Sequence, residues 1–295
     1  MLPQSGERAG RPKTSINVET GTASAVPVSL LLREVKMHFP FPEARSCVRI
    51  EKKRPRSRKR KGRIGMLRLW LGRAGSGKSS AVLREMACLP AEKRAYLIVP
   101  EQASHEAERR LCREGGDGVS LHCEVLSFTR LAARVFASAG GGAEKEIDQG
   151  GRILLMHRAL KESAGQLTVY ASHSGKTEFL EQLLLTSDEL KSCCIQLEQL
   201  REAAEGAGSE GDKLRDLALI CGAYDALVSQ AGADPRDRLT RLAAALRECS
   251  WGTGADFYLD GFVDFTPQER EVLRLLLGRA GRVTTLLTCG GTEEE

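Results

Sequence analysis

The spacing of hydrophobic positions changes along the chain, and those changes divide it. Leu67 to Leu71 is an apolar run with one Arg inside, the pattern of a buried strand. Ser80 to Cys88 then carries apolar residues at helical spacing. A second strand is predicted over Ala95 to Val99, stopped by Pro100, with a helix from about Gln102 to Arg113. Glu124 to Phe128 is a third strand, running into a helix that holds Leu131, Ala132, Val135 and Phe136. Strand–helix units of this length imply a parallel sheet covered by helices. From Glu144 to about Cys249 every periodic stretch is helical, over Ile147–Leu160, Phe179–Cys194, Lys213–Val228 and Arg236–Leu246. Strands return at Phe257–Leu259 and Val283–Leu287, with a helix over Gln268–Leu277 between them. The expected plan is an α/β body built from 66–143 and 251–295, with 144–250 as an all-helical insertion large enough to be its own subdomain.

Residues 1–65 show no sustained period and are expected to be a disordered leader. They hold 16 Lys and Arg against 5 Asp and Glu, a net of +11 that leaves −6 for the rest of a chain whose total is +5. The basic character therefore belongs to the leader, above all to Lys52–Lys61, and not to the body. Such a run suits a nucleic-acid arm or a nuclear signal. The simpler expectation is that translation begins at Met66, directly before the first strand, which makes the leader an artefact of start-site assignment. With 41% hydrophobic and 28% charged residues the balance is globular, and no apolar run reaches membrane-spanning length. Leu30–Leu32 is too short and too far in for a signal-peptide core. Nine cysteines are scattered without any Cys-x-x-Cys pair, which points to reduced cytosolic thiols and against zinc.

Chemistry concentrates at Gly72-Arg73-Ala74-Gly75-Ser76-Gly77-Lys78-Ser79, between the first strand and its helix. Strand, glycine-rich turn and helix opening on Lys-Ser form a Walker A phosphate loop. Gly72, Gly75 and Gly77 let backbone N–H groups turn inward with Ser76 around a phosphate, and the helix points its positive end at the same anion. Lys78 would reach the outer phosphates and Ser79 would complete the shell of a Mg²⁺ ion, so ATP and Mg²⁺ are the expected ligands. Phe257-Tyr258-Leu259-Asp260 fits the Walker B pattern, with Asp260 facing the metal from a second strand. Gly261 stands where motor ATPases place a water-orienting Glu, and neither Asp264 nor Glu269 is in that position, so slow hydrolysis is expected. Ser174-Gly175-Lys176-Thr177 imitates the end of a phosphate loop, but Tyr170 replaces its first glycine, and it reads as a helix start. The five histidines make no metal spacing, and no Gly-x-Ser-x-Gly supports a hydrolase nucleophile. Phe128 and Arg130, taken alone, read as core packing and a solvated charge.

The loop at 69–78, YLIVPEQAS at 96–104, VLSFTRLAARVF at 125–136 and FYLDGFVDFTPQE at 257–269 occur in order and at family-like spacing. Together, from about Met66 to Thr288, they resemble the N-terminal part of AddB, the second subunit of the bacterial AddAB helicase–nuclease. That resemblance implies a RecA-like P-loop parallel sheet, shaped like the first motor domain of superfamily 1 helicases and interrupted by helices. It implies resection of DNA double-strand breaks for recombinational repair, in the bacterial cytoplasm at the nucleoid, as a heterodimer with an AddA-type helicase subunit. The family's strand-reading positions, which recognise a Chi-type signal in single-stranded DNA, match Gln102, Ser104, Phe128 and Arg130 here, with Ala133 where an aromatic is usual. The nuclease motif, the second motor domain with its arginine finger and the cysteines of the family's 4Fe-4S cluster have no counterpart in the sequence, so a truncated or frameshifted reading frame is expected. Two other classes compete: a small stand-alone P-loop ATPase or nucleotide kinase, and a non-catalytic DNA-binding adaptor with a vestigial loop.

Overall fold

In the computed structural model, the described residues are 36–37, 48–52, 66–140, 142, 144–171, 176–205 and 207–289. The elements in chain order are β1 (Lys36–Met37), β2 (Val48–Lys52), β3 (Met66–Gly72), α1 (Lys78–Ala87), β4 (Ala95–Ile98), α2 (Ser104–Gly115), β5 (Cys123–Leu126) and α3 (Phe128–Ala139). Four helices follow, α4 (Gln149–Ser163), α5 (Thr177–Ser192), α6 (Leu197–Glu205) and α7 (Ser209–Ala231). Then come α8 (Arg238–Glu248), β6 (Asp256–Leu259), α9 (Pro267–Arg279) and β7 (Arg282–Thr288).

The strands form one sheet in the order β1-β2-β3-β7-β6-β4-β5. Five of them, β3, β7, β6, β4 and β5, are parallel, and one register row runs Leu69–Thr285–Leu259–Ile98–Leu126 across them. All five therefore end at the same edge. β6 lies third in this row and is buried along its whole length, as expected of a parallel strand covered on both faces. β1 and β2 add antiparallel to the outer side of β3, with Ile50 opposite Leu69. The hydrophobic pattern predicts no element in this part of the leader; the rest of 1–65 lies outside the described residues.

Alternate residues feed two cores. Val82, Leu83 and Met86 of α1 and Leu111 of α2 meet Leu97, Val125, Tyr258 and Leu286 on one face. Leu131 and Val135 of α3, Leu242 and Leu246 of α8, and Val272 and Leu276 of α9 meet Ile98, Leu126, Phe257 and Val283 on the other. The result is an α/β protein of three layers. The insertion has a third core, in which Met156 and Leu160 of α4, Leu183 and Leu184 of α5, and Ile220 and Tyr224 of α7 pack together. α8, which helical periodicity alone groups with the insertion, belongs to the sheet layers. The chain crosses back near Ala233, whose N–H donates to Lys145 O at 3.1 Å while its O accepts from Ile147 N–H at 3.0 Å. Among the described residues no helix is long and apolar enough to cross a membrane.

Candidate nucleotide-binding site

β3 ends at Gly72, and the turn that follows reverses the backbone through two residues with positive φ, Gly75 at 74° and Gly77 at 81°. Side-chain-bearing residues rarely adopt that region, so the glycines are required for the turn to close. A Cβ at either would meet nothing within 4 Å, so the requirement is conformational and leaves the inside of the loop open. Gly77 caps α1 without a side-chain contact, and the first turn of α1 contains no acidic residue. Nothing built into the helix start competes for an anion there.

Lys78 is the first residue of α1 and only 7% exposed. Its ammonium donates to Gly72 O and Arg73 O at 2.8 Å each and to Ser76 Oγ at 3.2 Å. All three partners are neutral loop oxygens, so among the described residues the buried charge has no counter-charge. Such an arrangement is unfavourable unless an anion completes it. Ser79 follows on the next helical position.

Asp260 leaves β6 at the same sheet edge, with its N–H donating to Ile98 O at 3.1 Å. β7 lies between β6 and β3, and Thr288 at its end pairs in register with Gly72. Ser79, which follows β3, and Asp260, which follows β6, thus stand at one sheet edge on either side of β7. Among the described residues no group of three or more His, Cys, Asp and Glu could hold a metal unaided. Two protein oxygens fit Mg²⁺, which keeps several waters and binds through substrate phosphates instead of a full protein cage.

Gly261 has φ 81°, and a Cβ there would lie 3.3 Å from Pro100 Cδ. The position after Asp260 is thus shaped for glycine. The nearby acids are committed locally. Asp264 Oδ1 accepts from Phe265 N–H at 2.7 Å. Glu269 forms a capping box with Thr266 at the start of α9, its Oε2 accepting from Thr266 N–H at 2.8 Å.

Beneath the loop, α1 is pinned to the sheet by charge. Arg68, 1% exposed, holds Glu85 by two bonds of 2.5 and 3.0 Å. Tyr258 Oη and Arg282 reach the same carboxylate at 3.0 and 3.1 Å. Arg282 also reaches Asp256 at 3.2 Å, as Lys93 does at 2.8 Å. Burial pushes the Glu85 carboxyl up, but Arg68, Tyr258 and Arg282 outweigh it and hold it below the ordinary value of 4.5. Burial, then the Glu85 charge, pushes the Tyr258 hydroxyl up, so it stays a donor.

The four strand-reading candidates separate. Gln102 is exposed, in the turn after β4. Phe128 is 8% exposed, its ring edge-on to Phe262 and Phe265 at 5.6 and 6.4 Å. Both residues line a cleft of about 630 Å³ beyond the ends of β4 and β5. Ser104 opens α2 and donates to Glu101 O at 2.9 Å. Arg130 faces a different pocket and pairs with Glu108 at 3.3 Å. Arg152, Arg236 and Arg238, which no sequence motif singles out, also line the cleft, as does Phe262 of the 257–269 motif. The Arg236-x-Arg238 spacing is visible in the sequence, but only the fold brings it opposite Gln102. Lys176 caps α5, as expected of a helix start, whereas 172–175 lie outside the described residues.

Residues 69–295 match the family model described as "ADDB, N-terminal". The chain belongs to that family. Among its relatives are the AddB-type subunits of an ATP-dependent helicase/deoxyribonuclease from Moorella thermoacetica, 37% identical over 232 residues, and from Pelotomaculum thermopropionicum, 36% identical over 231 residues. The corresponding protein from Thermoanaerobacter sp. strain X514 is 35% identical over 227 residues. Each alignment covers 75% of this chain and 20% of the relative. The chain thus spans about a fifth of the length of the curated AddB relatives it matches.

Proposed function

We propose that this chain carries the nucleotide- and DNA-binding N-terminal part of an AddB-type subunit, acting with an AddA-type helicase partner on broken DNA ends in recombinational repair. The observation that carries the nucleotide half is Lys78, a buried ammonium among neutral oxygens in a glycine-shaped loop. The strand order supports a RecA-like P-loop reading, because one strand, β7, separates the loop strand from the acid strand. Gly72, Gly75, Ser76, Gly77, Lys78 and Ser79 would hold ATP, and Ser79 and Asp260 would hold Mg²⁺. When bound, the metal neutralises charge on phosphate oxygens. The chain's own groups position the phosphates, while Gly261 offers no side chain to orient water, so the site holds ATP more than it turns it over.

Single-stranded DNA belongs in the 630 Å³ cleft. Arg152 is buried against Asp188 and Asp234, so the phosphates fall to Arg236 and Arg238, which would exchange Asp188 and Glu146 for them, while Gln102 suits an exposed base edge. Phe128 supports the Phe262 ring from behind, which makes Phe262 the better placed of the two to meet a base. Ser104 and Arg130 do not line this cleft and are no part of the proposed DNA site.

Calorimetric titration of ATP into the chain tests the first half, with Lys78→Ala expected to weaken binding by about tenfold or more. Equal affinity in the two proteins would overturn it. Anisotropy with a labelled single-stranded oligonucleotide tests the second half. Gln102→Ala and Arg238→Ala are expected to weaken binding, Arg238→Ala with a shallower salt dependence.

A further inference from the structure

Near the phosphate loop, the partly exposed Arg110 has no carboxylate partner among the described residues. It projects from α2, and its Nη2 donates to Ser80 Oγ at 3.0 Å. Ser80 is the third residue of α1, about 3 Å along the axis from Lys78 at a rise of about 1.5 Å per residue. The guanidinium is therefore level with the first turn of α1, where helix N–H groups lack intrahelical partners and the dipole is positive.

This is an unfavourable place for a cation. Lys78 already stands there, and no acid occupies that turn. Of the α2 carboxylates, Glu106 pairs with Arg109 and Glu108 with Arg130, while Glu114, one turn beyond Arg110, makes no pair with it. Among the described residues no carboxylate pairs with Arg110, whose one hydrogen bond goes to a neutral hydroxyl. Two cations and a helix N-terminus without an anion make a site short of negative charge.

Resting on the nucleotide reading above, we infer that Arg110 is a positioning residue for the nucleotide, a cation supplied by α2 to the phosphates that ADP and ATP share. Ser80 holds its Nη2, which leaves Nε and Nη1 to make charge-assisted bonds that Lys78, as a point charge, makes less directionally.

The test uses the full chain and calorimetry with ATP and ADP, beside thermal unfolding without nucleotide. Arg110→Gln is expected to weaken both nucleotides by about tenfold and to flatten the salt dependence of binding. Without nucleotide its melting temperature should be unchanged or slightly higher, because a repulsive charge has gone. Arg110→Lys should recover part of the affinity, and Arg109→Gln, which removes a neighbouring exposed charge, should lose none. Unchanged affinities for Arg110→Gln with a lowered melting temperature would overturn the inference and make Arg110 a clamp between helices. Weakening of ATP alone would overturn the assignment to shared phosphates. If affinity and melting temperature both fall, recovery in Arg110→Lys supports the inference and no recovery overturns it. Failure of the unaltered chain to bind either nucleotide overturns the nucleotide reading and this inference with it. Binding that depends on Lys78 but not on Arg110 overturns this inference alone.

Discussion

On the proposed nucleotide reading Lys78 serves two purposes at once, and its substitution should reveal both. Its ammonium ties together Gly72 O, Arg73 O and Ser76 Oγ. Lys78→Ala therefore removes a phosphate partner and also loosens the loop, so ADP should weaken together with ATP. Gly261 supports a second expectation. Gly261→Glu would supply the carboxylate that motor ATPases use, yet φ 81° costs an L-residue about 1–2 kcal/mol, and its Cβ would press on Pro100. The variant should unfold at lower temperature and hydrolyse ATP no faster in a phosphate-release assay. At this scale the loop was legible because glycine, lysine and serine at fixed spacing have few other uses. The cleft was less so. Phe128, taken alone, reads as core packing and is packed against Phe262 and Phe265, whereas only the family resemblance gives it a strand-reading role.

Among the elements, α1 owes its placement to the charge cluster below it as much as to Val82, Leu83 and Met86. Glu85→Gln would leave buried Arg68 without its carboxylate, and breaking such a pair costs about 3–5 kcal/mol when both partners are fully buried. Glu85 is 25% exposed, so a loss nearer ~2 kcal/mol is expected from denaturant unfolding. The pH dependence has a definite sign. The Glu85 carboxyl lies below its ordinary 4.5 in the folded chain, so its contribution is complete above that value. It is lost as pH falls through the folded value, and Glu85→Gln should flatten the acid limb of a stability–pH curve. None of this cluster was legible beforehand, because Arg68, Glu85, Tyr258 and Arg282 are far apart in sequence. α8 shows the converse limit. Its apolar spacing resembles that of α4 and α7, and periodicity says which face is buried but not against what.

For the whole molecule, the parallel sheet needs only residues from Met66 onward, and β1 and β2 cover the outer side of β3. A chain beginning at Met66 should keep its ATP affinity by calorimetry. It should melt several degrees lower, because β3 becomes an edge with open hydrogen-bonding groups. The strand order also governs how the molecule forms. β3 and β4 are joined by one short helix, yet they are not neighbours, because β7 and β6 fill the gap between them. Leu69 meets its partner Thr285 only after more than two hundred intervening residues have been made. On a ribosome, the loop strand emerges early and waits for the end of this sequence, with the helical insertion able to fold in between. Long-range pairing of this kind slows folding and leaves apolar strand edges uncovered meanwhile. Pulse-labelled hydrogen exchange during refolding should find amides of α4 and α7 protected before those of β3. Nascent chains halted before β6 should depend on chaperones, although every residue of the glycine-rich loop has already been synthesised.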